Sequence, residues 1–308
     1  MKLGIELGIR APKKAIEKAA EIAEEHLIEY FLVPETHPKF YGVDAFETLS
    51  QISENIKHVK LGTGIVNVFS RSKEEIVEHA NKLYKKTDGK LILGIGTSAP
   101  VIIEKLWNME FKKPLSRLKN YSEFIKSKYV GPVFWAAVGQ KTTELAASNA
   151  DGVIFFLKPQ SQMLNDIDMI NSKLASLKKS KDRFDIISIV PTYFDESQEQ
   201  LQAKMTLAGY LGANEFYSVP LIKAGFENEV SNIKENYKKF GLKDAAKSVS
   251  DELLNDLTIS GSIQVCKEKI RKKQESKLKT IILGFDLAKE KYTDDFFNKL
   301  DKLLTSLE

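Results

Sequence analysis

Short apolar runs alternate with longer amphipathic segments along this chain. A strand buried on both faces reads as a short apolar run, whereas a helix repeats its apolar positions every three or four residues. The runs that predict strands are residues 3–7, 28–33, 59–66, 91–95, 133–138, 152–156, 186–190 and 280–283. The segments that predict helices are residues 12–25, 45–53, 73–86, 115–126, 142–148, 162–177, 262–275 and 296–304. This alternation favours a parallel (β/α)8 TIM barrel, with an open doubly wound sheet as the second choice.

The segment of residues 198–260 is too long for a connection between a strand and a helix, and its pattern is helical. We therefore predict a helical insertion between the seventh and eighth strands, carrying the aromatic residues Phe216, Tyr217 and Phe226. No change of composition and no linker marks a domain boundary, so residues 1–308 are expected to form a single domain.

The net charge and the cysteine content bear on the partners and the cellular compartment of the protein. The chain has 46 Lys and Arg against 42 Asp and Glu, a formal net charge of +4, which gives no reason to expect a nucleic-acid partner. Cys266, the one cysteine, falls in a predicted surface helix and has no partner for an internal disulfide, as is typical of a reducing cytosol. Neither a signal-peptide pattern nor an apolar segment of membrane length is present, so we expect a cytoplasmic protein without a membrane partner.

Polar residues stand where several predicted strands end, which is the end at which barrel enzymes build their active sites. Glu6 is the only carboxylate of the first strand. It is either a structural hydrogen-bond acceptor or a proton donor and acceptor whose pKa is raised by burial. His37, which follows the second strand, is a second candidate, although a lone histidine in a loop more often has no catalytic role. The remaining histidines lack metal-ligand spacing, so no metal site is expected.

Two strand ends are rich in glycine. Residues 61–67 (LGTGIVN) predict a bulge or a close backbone approach. Residues 93–98 (LGIGTS) lack the third glycine and the acidic partner of a dinucleotide fingerprint, so a Rossmann site is weakly supported.

A third segment, residues 139–142 (GQKT), follows the fifth predicted strand and opens a helix. Backbone amides, the helix dipole and Lys141 together suit a phosphate group. A plain N-terminal cap explains the same residues equally well.

These segments together resemble the luciferase-like monooxygenase family. The likeness is carried by residues 1–6 (MKLGIE), 61–71 (LGTGIVNVFSR), 89–96 (GKLILGIG), 113–117 (KPLSR), 136–139 (AAVG) and 150–154 (ADGVI). It is greatest to the archaeal branch, the methylenetetrahydromethanopterin reductases that use the deazaflavin coenzyme F-420. The likeness covers most of the chain in the same order.

The resemblance implies a luciferase-like barrel in which Gly64-Ile65 is a non-prolyl cis peptide behind the deazaflavin ring. It implies that Glu6 lies near the site of hydride transfer, and it carries over His37 as the second catalytic candidate. The cofactor-binding residues that it implies are Gly64, Ile65, Asn67, Thr97, Ser98, Gly139, Gln140, Lys141 and Thr142. Relatives usually carry Asp before the histidine, where this chain has Thr36, and often an acidic residue near Ala99.

The leading hypothesis is therefore an oxidoreductase that transfers a hydride between coenzyme F-420 and a small organic substrate, similar to methylenetetrahydromethanopterin reductase. One alternative is an FMN-dependent monooxygenase of the luciferase type. Another is a non-catalytic flavin or deazaflavin binding protein, which Thr36 and Ala99 favour and Glu6 disfavours. The likeness also suggests a homodimer that packs through helices near the second and third strands.

Overall fold

The computed structural model describes residues 2–36, 43–194, 197–274 and 277–308. The strands are β1 (Lys2–Leu7), β2 (Tyr30–Val33), β3 (Lys60–Thr63), β4 (Val66–Asn67), β5 (Leu91–Gly96), β6 (Val133–Ala136), β7 (Gly152–Phe156), β8 (Asp185–Phe194), β9 (Ile259–Gly261) and β10 (Thr280–Phe285). The helices of the first half are α1 (Lys13–Glu25), α2 (Ala45–Ile52), α3 (Lys73–Lys86), α4 (Pro100–Lys105), α5 (Pro114–Lys126), α6 (Gln140–Asn149) and α7 (Gln160–Ser176). Those of the second half are α8 (Ser197–Ala213), α9 (Glu215–Lys223), α10 (Glu227–Phe240), α11 (Leu242–Lys247), α12 (Asp251–Leu257), α13 (Ile263–Gln274) and α14 (Asp294–Thr305).

Eight parallel strands close into a barrel in the order β1-β2-β3-β5-β6-β7-β8-β10. Closure comes from β10, which pairs with β1 on one side and with β8 on the other. The short β4 pairs with β5, and β9 extends the far end of β8. The predicted TIM barrel and the helical insertion between its seventh and eighth strands are confirmed. Every strand therefore delivers its C-terminal end to the same mouth.

Alternate strand residues fill the barrel interior. The interior cluster is Tyr30, Leu32, Ile92, Phe134, Ile154, Ile187, Ile189 and Ile282. Glycines on neighbouring strands make room for these side chains. A Cβ atom at Gly62 would lie 2.7 Å from Leu32 Cδ2, and one at Gly4 would meet Ile282. The close approach predicted for the glycine-rich third strand is thus present, and the interior is packed rather than open.

The structure differs from the sequence-based expectation in detail. The seventh barrel strand, β8, runs on to Phe194, four residues past its predicted end, and α4 was not predicted. Cys266 lies in a surface helix as expected, on the inward face of that helix, and its side chain is fully buried. The reason is that the face of α13 carrying Cys266 packs against β9, and the thiol donates to the Gly261 carbonyl at 3.3 Å. Among the described residues, none of the helices has the length and apolar character needed to cross a membrane.

The insertion is a helical layer in which α8 packs against α10 and α11. Gly212 of α8 is in contact with Tyr237 of α10, where a Cβ atom would lie 2.7 Å from the tyrosine Cβ. Three residues earlier, a Cβ atom at Gly209 would meet only Leu242 Cδ1, at an ordinary 3.6 Å. Close packing therefore requires glycine at position 212 but not at position 209.

We predict that Gly212→Ala destabilises the protein by about 1 to 3 kcal/mol, because the methyl group overpacks the α8–α10 contact. The matched variant Gly209→Ala should instead stabilise it by up to about 1 kcal/mol, because alanine is the better helix former. Chemical denaturation followed by circular dichroism measures both. A Gly212 variant as stable as the parent would show that α8 does not depend on this contact.

Candidate functional site

Glu6 brings a carboxyl group into the mouth of the barrel. It alternates with Ile5 and Leu7, which pack against the outer helices, so its side chain faces the interior. The carboxylate lies against the backbone of the third strand, where a Cβ atom at Gly64 would collide with Glu6 Oε2. A side chain at position 64 would therefore displace the carboxyl group of Glu6.

The environment of Glu6 favours its neutral form. Only 9% of the residue is exposed, and its Oε2 atom is buried without a hydrogen-bond partner among the described residues. Burial raises the pKa of Glu6 well above its usual range, and the nearby carboxyl of Asp286 raises this pKa further. A carboxyl group that keeps its proton near neutral pH can act as a general acid.

Asp286, the first residue after β10, is the second carboxyl of this region. Arg10 holds it with two hydrogen bonds, from Nε to Oδ1 at 3.2 Å and from Nη2 to the Asp286 carbonyl at 2.9 Å. Burial raises the pKa of Asp286, and the guanidinium of Arg10 opposes that rise. Neither residue was predicted from the sequence, although the strand-end criterion that selected Glu6 applies equally to Asp286.

The ends of the second and third strands are tied together by an ion-pair cluster. Arg71 contacts Glu35 Oε2 at 3.0 Å and Asp44 Oδ2 at 2.7 Å, and Ser70 also donates to Glu35. Burial raises the pKa of Glu35, while Arg71 opposes the rise. The cluster fixes the segment that follows Asn67 beside the mouth.

Thr36 and Val43 flank a segment that includes His37. The Thr36 hydroxyl accepts from the Val43 amide at 2.8 Å, and the Thr36 amide donates to the Val43 carbonyl at 3.0 Å. His37 itself lies outside the described residues, so its catalytic part stays a prediction.

The predicted cis peptide at Gly64-Ile65 is present, and this prediction is confirmed. The Ile65 side chain packs over the fourth barrel strand, where a Cβ atom at Gly96 would lie 3.1 Å from Ile65 Cδ1. Beyond that strand Thr97 is half-buried, and Ser98 is exposed with a left-handed φ of 57°. Gly64, Ile65, Thr97 and Ser98 lie on one side of the mouth, and their contact with a cofactor stays a prediction.

Asn67 lies next to this group but is already engaged. Its Oδ1 accepts from the amides of Phe69 and Ser70, at 2.9 and 2.8 Å. The Asn67 side chain therefore stabilises the turn that follows β4, and a contact with a cofactor would come in addition to these hydrogen bonds.

Residues 139–142 lie across the barrel from Glu6, because β6 is the fifth strand in the ring that starts with β1. Gly139 is the N-cap of α6, and the side chains of Gln140 and Lys141 are exposed. A cavity of about 160 Å³ opens here, lined in part by Gly139, Gln140 and Lys223. Lys223 donates to Gln140 Oε1 at 3.0 Å. Free amides at a helix start, with Lys141 and Lys223 close by, suit an anionic group.

Beneath this cavity Lys158 is buried in an ion pair with Asp166, near the Thr143 hydroxyl. Burial lowers the pKa of Lys158, Asp166 opposes this effect, and the charge of Lys223 adds to it. The Asp166 carboxylate thus offsets the charge of a lysine buried beside this cavity. The sequence marks Lys158 as a strand-end residue, yet its partner on α7 becomes visible only in the structure.

The insertion covers the mouth with aromatic side chains. Tyr210 of α8, Tyr217 of α9 and Phe156 of β7 meet edge to face, with ring centroids 5.1 to 5.9 Å apart. Burial raises the pKa of Tyr210 well above its usual range, and Asp286 and Glu6 add to the rise. The phenol is therefore neutral at physiological pH and lies close to both carboxyls.

Comparison with known proteins agrees with this arrangement. The model of the luciferase-like monooxygenase family matches residues 3–128 and 126–280. A 5,10-methylenetetrahydromethanopterin reductase of Archaeoglobus fulgidus is 22% identical over 320 residues, covering 94% of this chain and 95% of its own. A Mycobacterium tuberculosis protein named as a coenzyme F-420-dependent oxidoreductase is 23% identical over 313 residues, covering 85% and 89%.

Among solved structures, the coenzyme F-420-dependent tetrahydromethanopterin reductase of Methanopyrus kandleri superposes with a TM-score of 0.81. The two chains are 17% identical, and the match covers 99% of this chain and 98% of the other. At that identity the superposition establishes a shared fold.

We predict that Glu6→Gln stabilises the protein at pH 7 by about 1 to 3 kcal/mol. Since the pKa of Glu6 is raised by folding, the folded state binds a proton that the unfolded chain releases above its ordinary pKa of 4.5. Stability therefore falls as the pH rises above that value, and glutamine removes this penalty. Denaturation at pH 7 and again below pH 4.5 measures the gain, which should vanish at the lower pH.

The control is Glu123→Gln on α5, whose side chain is 59% exposed and which should change stability by less than about 0.5 kcal/mol at either pH. A Glu6 variant no more stable than the parent at pH 7 would mean that the folded protein tolerates the charged carboxylate.

Proposed function

The chain belongs to the luciferase-like monooxygenase family, and from that premise we propose that it is an oxidoreductase that uses coenzyme F-420 to transfer a hydride to or from a small organic substrate. The observation that carries the proposal is the buried carboxyl of Glu6, which faces the barrel mouth without a hydrogen-bond partner among the described residues. A carboxyl in that state suits proton transfer to a bound molecule. The choice of deazaflavin is supported by two relatives that match over most of their length. One is named for coenzyme F-420, and the other is named as a reductase of a methylene-substituted pterin.

The residues at the mouth fit a long cofactor with a flat ring at one end and a phosphate further along. On one side, Gly64, Ile65, Thr97 and Ser98 would hold the ring. Across the barrel, the amides at the start of α6 and the ammonium of Lys141 would hold the phosphate. The buried Oε2 atom of Glu6, which lacks a partner among the described residues, is the feature that a bound substrate would satisfy.

When bound, the deazaflavin supplies or accepts the hydride. The chain supplies the proton: Glu6 holds it on its carboxyl group and gives it to the substrate as the hydride arrives, or takes it in the reverse direction. Tyr210, Tyr217 and Phe156 exclude water from the mouth, which strengthens electrostatic interactions inside it. By the names of its relatives, a methylene-substituted pterin is the first substrate to test.

We predict that coenzyme F-420 binds to the purified protein more tightly than FMN does, as measured by titration of the absorbance of each. Lys141→Ala should weaken F-420 binding by about 5- to 150-fold, because a charge-assisted contact to phosphate contributes about 1 to 3 kcal/mol. Lys119→Ala, which removes an exposed lysine of α5, should leave the dissociation constant unchanged.

Tighter binding of FMN would indicate the luciferase-type monooxygenase instead. Equal dissociation constants for Lys141→Ala and the parent would place the phosphate elsewhere.

We also predict that Glu6→Gln lowers turnover by about 10²- to 10⁴-fold, the usual contribution of general acid-base catalysis, without weakening cofactor binding. Steady-state rates with the accepted substrate and the absorbance titration measure the two quantities separately. Turnover at the parent rate would make Glu6 a structural residue. Cofactor binding without turnover of any substrate by the parent protein would favour the non-catalytic binding protein.

A further inference from the structure

We propose that Glu6 and Asp286 act as one proton-holding pair, in which Asp286, fixed by Arg10 at the solvent edge, keeps the proton on Glu6 and, after each transfer, takes a proton from solvent and passes it to Glu6. The pairing stands on the strand register and on the contacts of Asp286 with Arg10 and Gly8. Only the replacement step rests on the proposed function.

The strand register brings the two carboxyls together. On β1 and β10, Glu6 lies opposite Gly284 and Leu7 lies opposite Phe285. The next amide, that of Gly8, donates to the Phe285 carbonyl at 2.8 Å, which places Gly8 beside Asp286. Residues two apart on a strand face the same side, so both carboxyls face the interior.

No side chain of this strand pair separates the two groups. The residue opposite Glu6 is Gly284, and the residue beside Asp286 is Gly8. A Cβ atom at Gly8 would lie 2.6 Å from Asp286 Cβ, so even alanine there would displace the second carboxyl. Two glycines on adjacent strands thus leave the carboxyls facing each other diagonally.

The pair has a buried end and a solvent end. Glu6 is 9% exposed, whereas the side chains of Asp286 and Arg10 are 25% and 27% exposed. Two neighbouring carboxyls in a poorly hydrated space resist carrying two negative charges. Arg10 offsets the charge of Asp286, so the ionised member is the outer one and the proton stays on the inner one. The two carboxyls therefore titrate as a coupled pair, and each apparent pKa describes the pair rather than one residue.

The other groups around Glu6 leave this assignment intact. The phenols of Tyr210 and Tyr292 stay neutral, because burial raises the pKa of each. Tyr193 of β8 contributes a third phenol to the same region, as its interaction with Arg10 shows. The second and third strands present Leu32 and Gly64, which carry no titratable side chain. Among the described groups, Asp286 and its partner Arg10 are thus the charges beside Glu6.

The test is a pH titration of the cofactor-free protein with glutamate labelled with carbon-13 at the side-chain carboxyl. The nuclear magnetic resonance signal missing from Glu6→Gln identifies Glu6 in the parent spectrum. In Asp286→Asn the midpoint of this signal should move to lower pH, because the neighbouring negative charge is gone. The control Asp185→Asn removes the same charge at the opposite end of the barrel, where Asp185 accepts from Tyr30 at 3.2 Å, and should not move it.

An unchanged midpoint in folded Asp286→Asn would overturn the pairing. If that variant does not fold, Arg10→Gln gives the second test. Loss of the cation should raise the pH at which the pair takes up its proton, and no change in proton uptake would equally overturn the proposal.

Turnover tests the replacement step separately. Asp286→Asn should shift the pH profile of turnover to lower pH and slow repeated turnovers more than a first single turnover. Equal slowing of both would overturn the replacement step. If the Glu6 midpoint shifts in Asp286→Asn but the parent protein turns over no substrate, the proposed function is rejected and the pairing stands. If the parent turns over substrate but the Glu6 midpoint does not shift, the pairing is rejected and the proposed function stands.

Discussion

Glu6 places a carboxyl group where water is largely excluded, and the surrounding backbone is built around it. Gly64 yields the space that its Oε2 atom occupies, and Gly284 stands opposite it without a side chain. Keeping such a group charged would cost several kcal/mol, so the group keeps a proton instead. The acid that the site needs is thus produced mainly by burial, and the carboxyl of Asp286 adds to the effect.

Barrel closure determines which residues can share this site. The hydrogen-bonded ring sets β10 beside β1, so Asp286 meets Arg10 across 276 residues of sequence. The same ring sets β6 opposite β1, which separates the candidate phosphate-binding segment at the start of α6 from Glu6 by the width of the barrel. A rigid ring of strands can hold two such sites at a fixed separation while the loops above it vary, and this suits a ligand with two recognised ends.

Much of this could be predicted from the sequence because buried parallel strands leave a strong local signal. The apolar runs located the eight barrel strands, and the strand-end criterion selected Glu6 and the glycines near Ile65. Asp286 was missed because its importance comes from pairing with a distant strand, and the link between Lys158 and Asp166 was missed because a helix supplies one partner. The burial of the Cys266 side chain beneath its surface helix is visible only in the structure, because β9, on which that helix packs, is too short to predict.

The insertion completes the site with aromatic side chains. Tyr210 and Tyr217 close over Phe156 at the mouth, and α10 holds α8 in place through the contact of Gly212 with Tyr237. Burial is the main cause of the raised pKa of Glu6, so a mouth open to water would return that pKa toward its ordinary value. The proton on Glu6 therefore depends on helices that lie more than 190 residues further along the chain. Packing within the insertion therefore helps to set the pKa of Glu6 within the barrel.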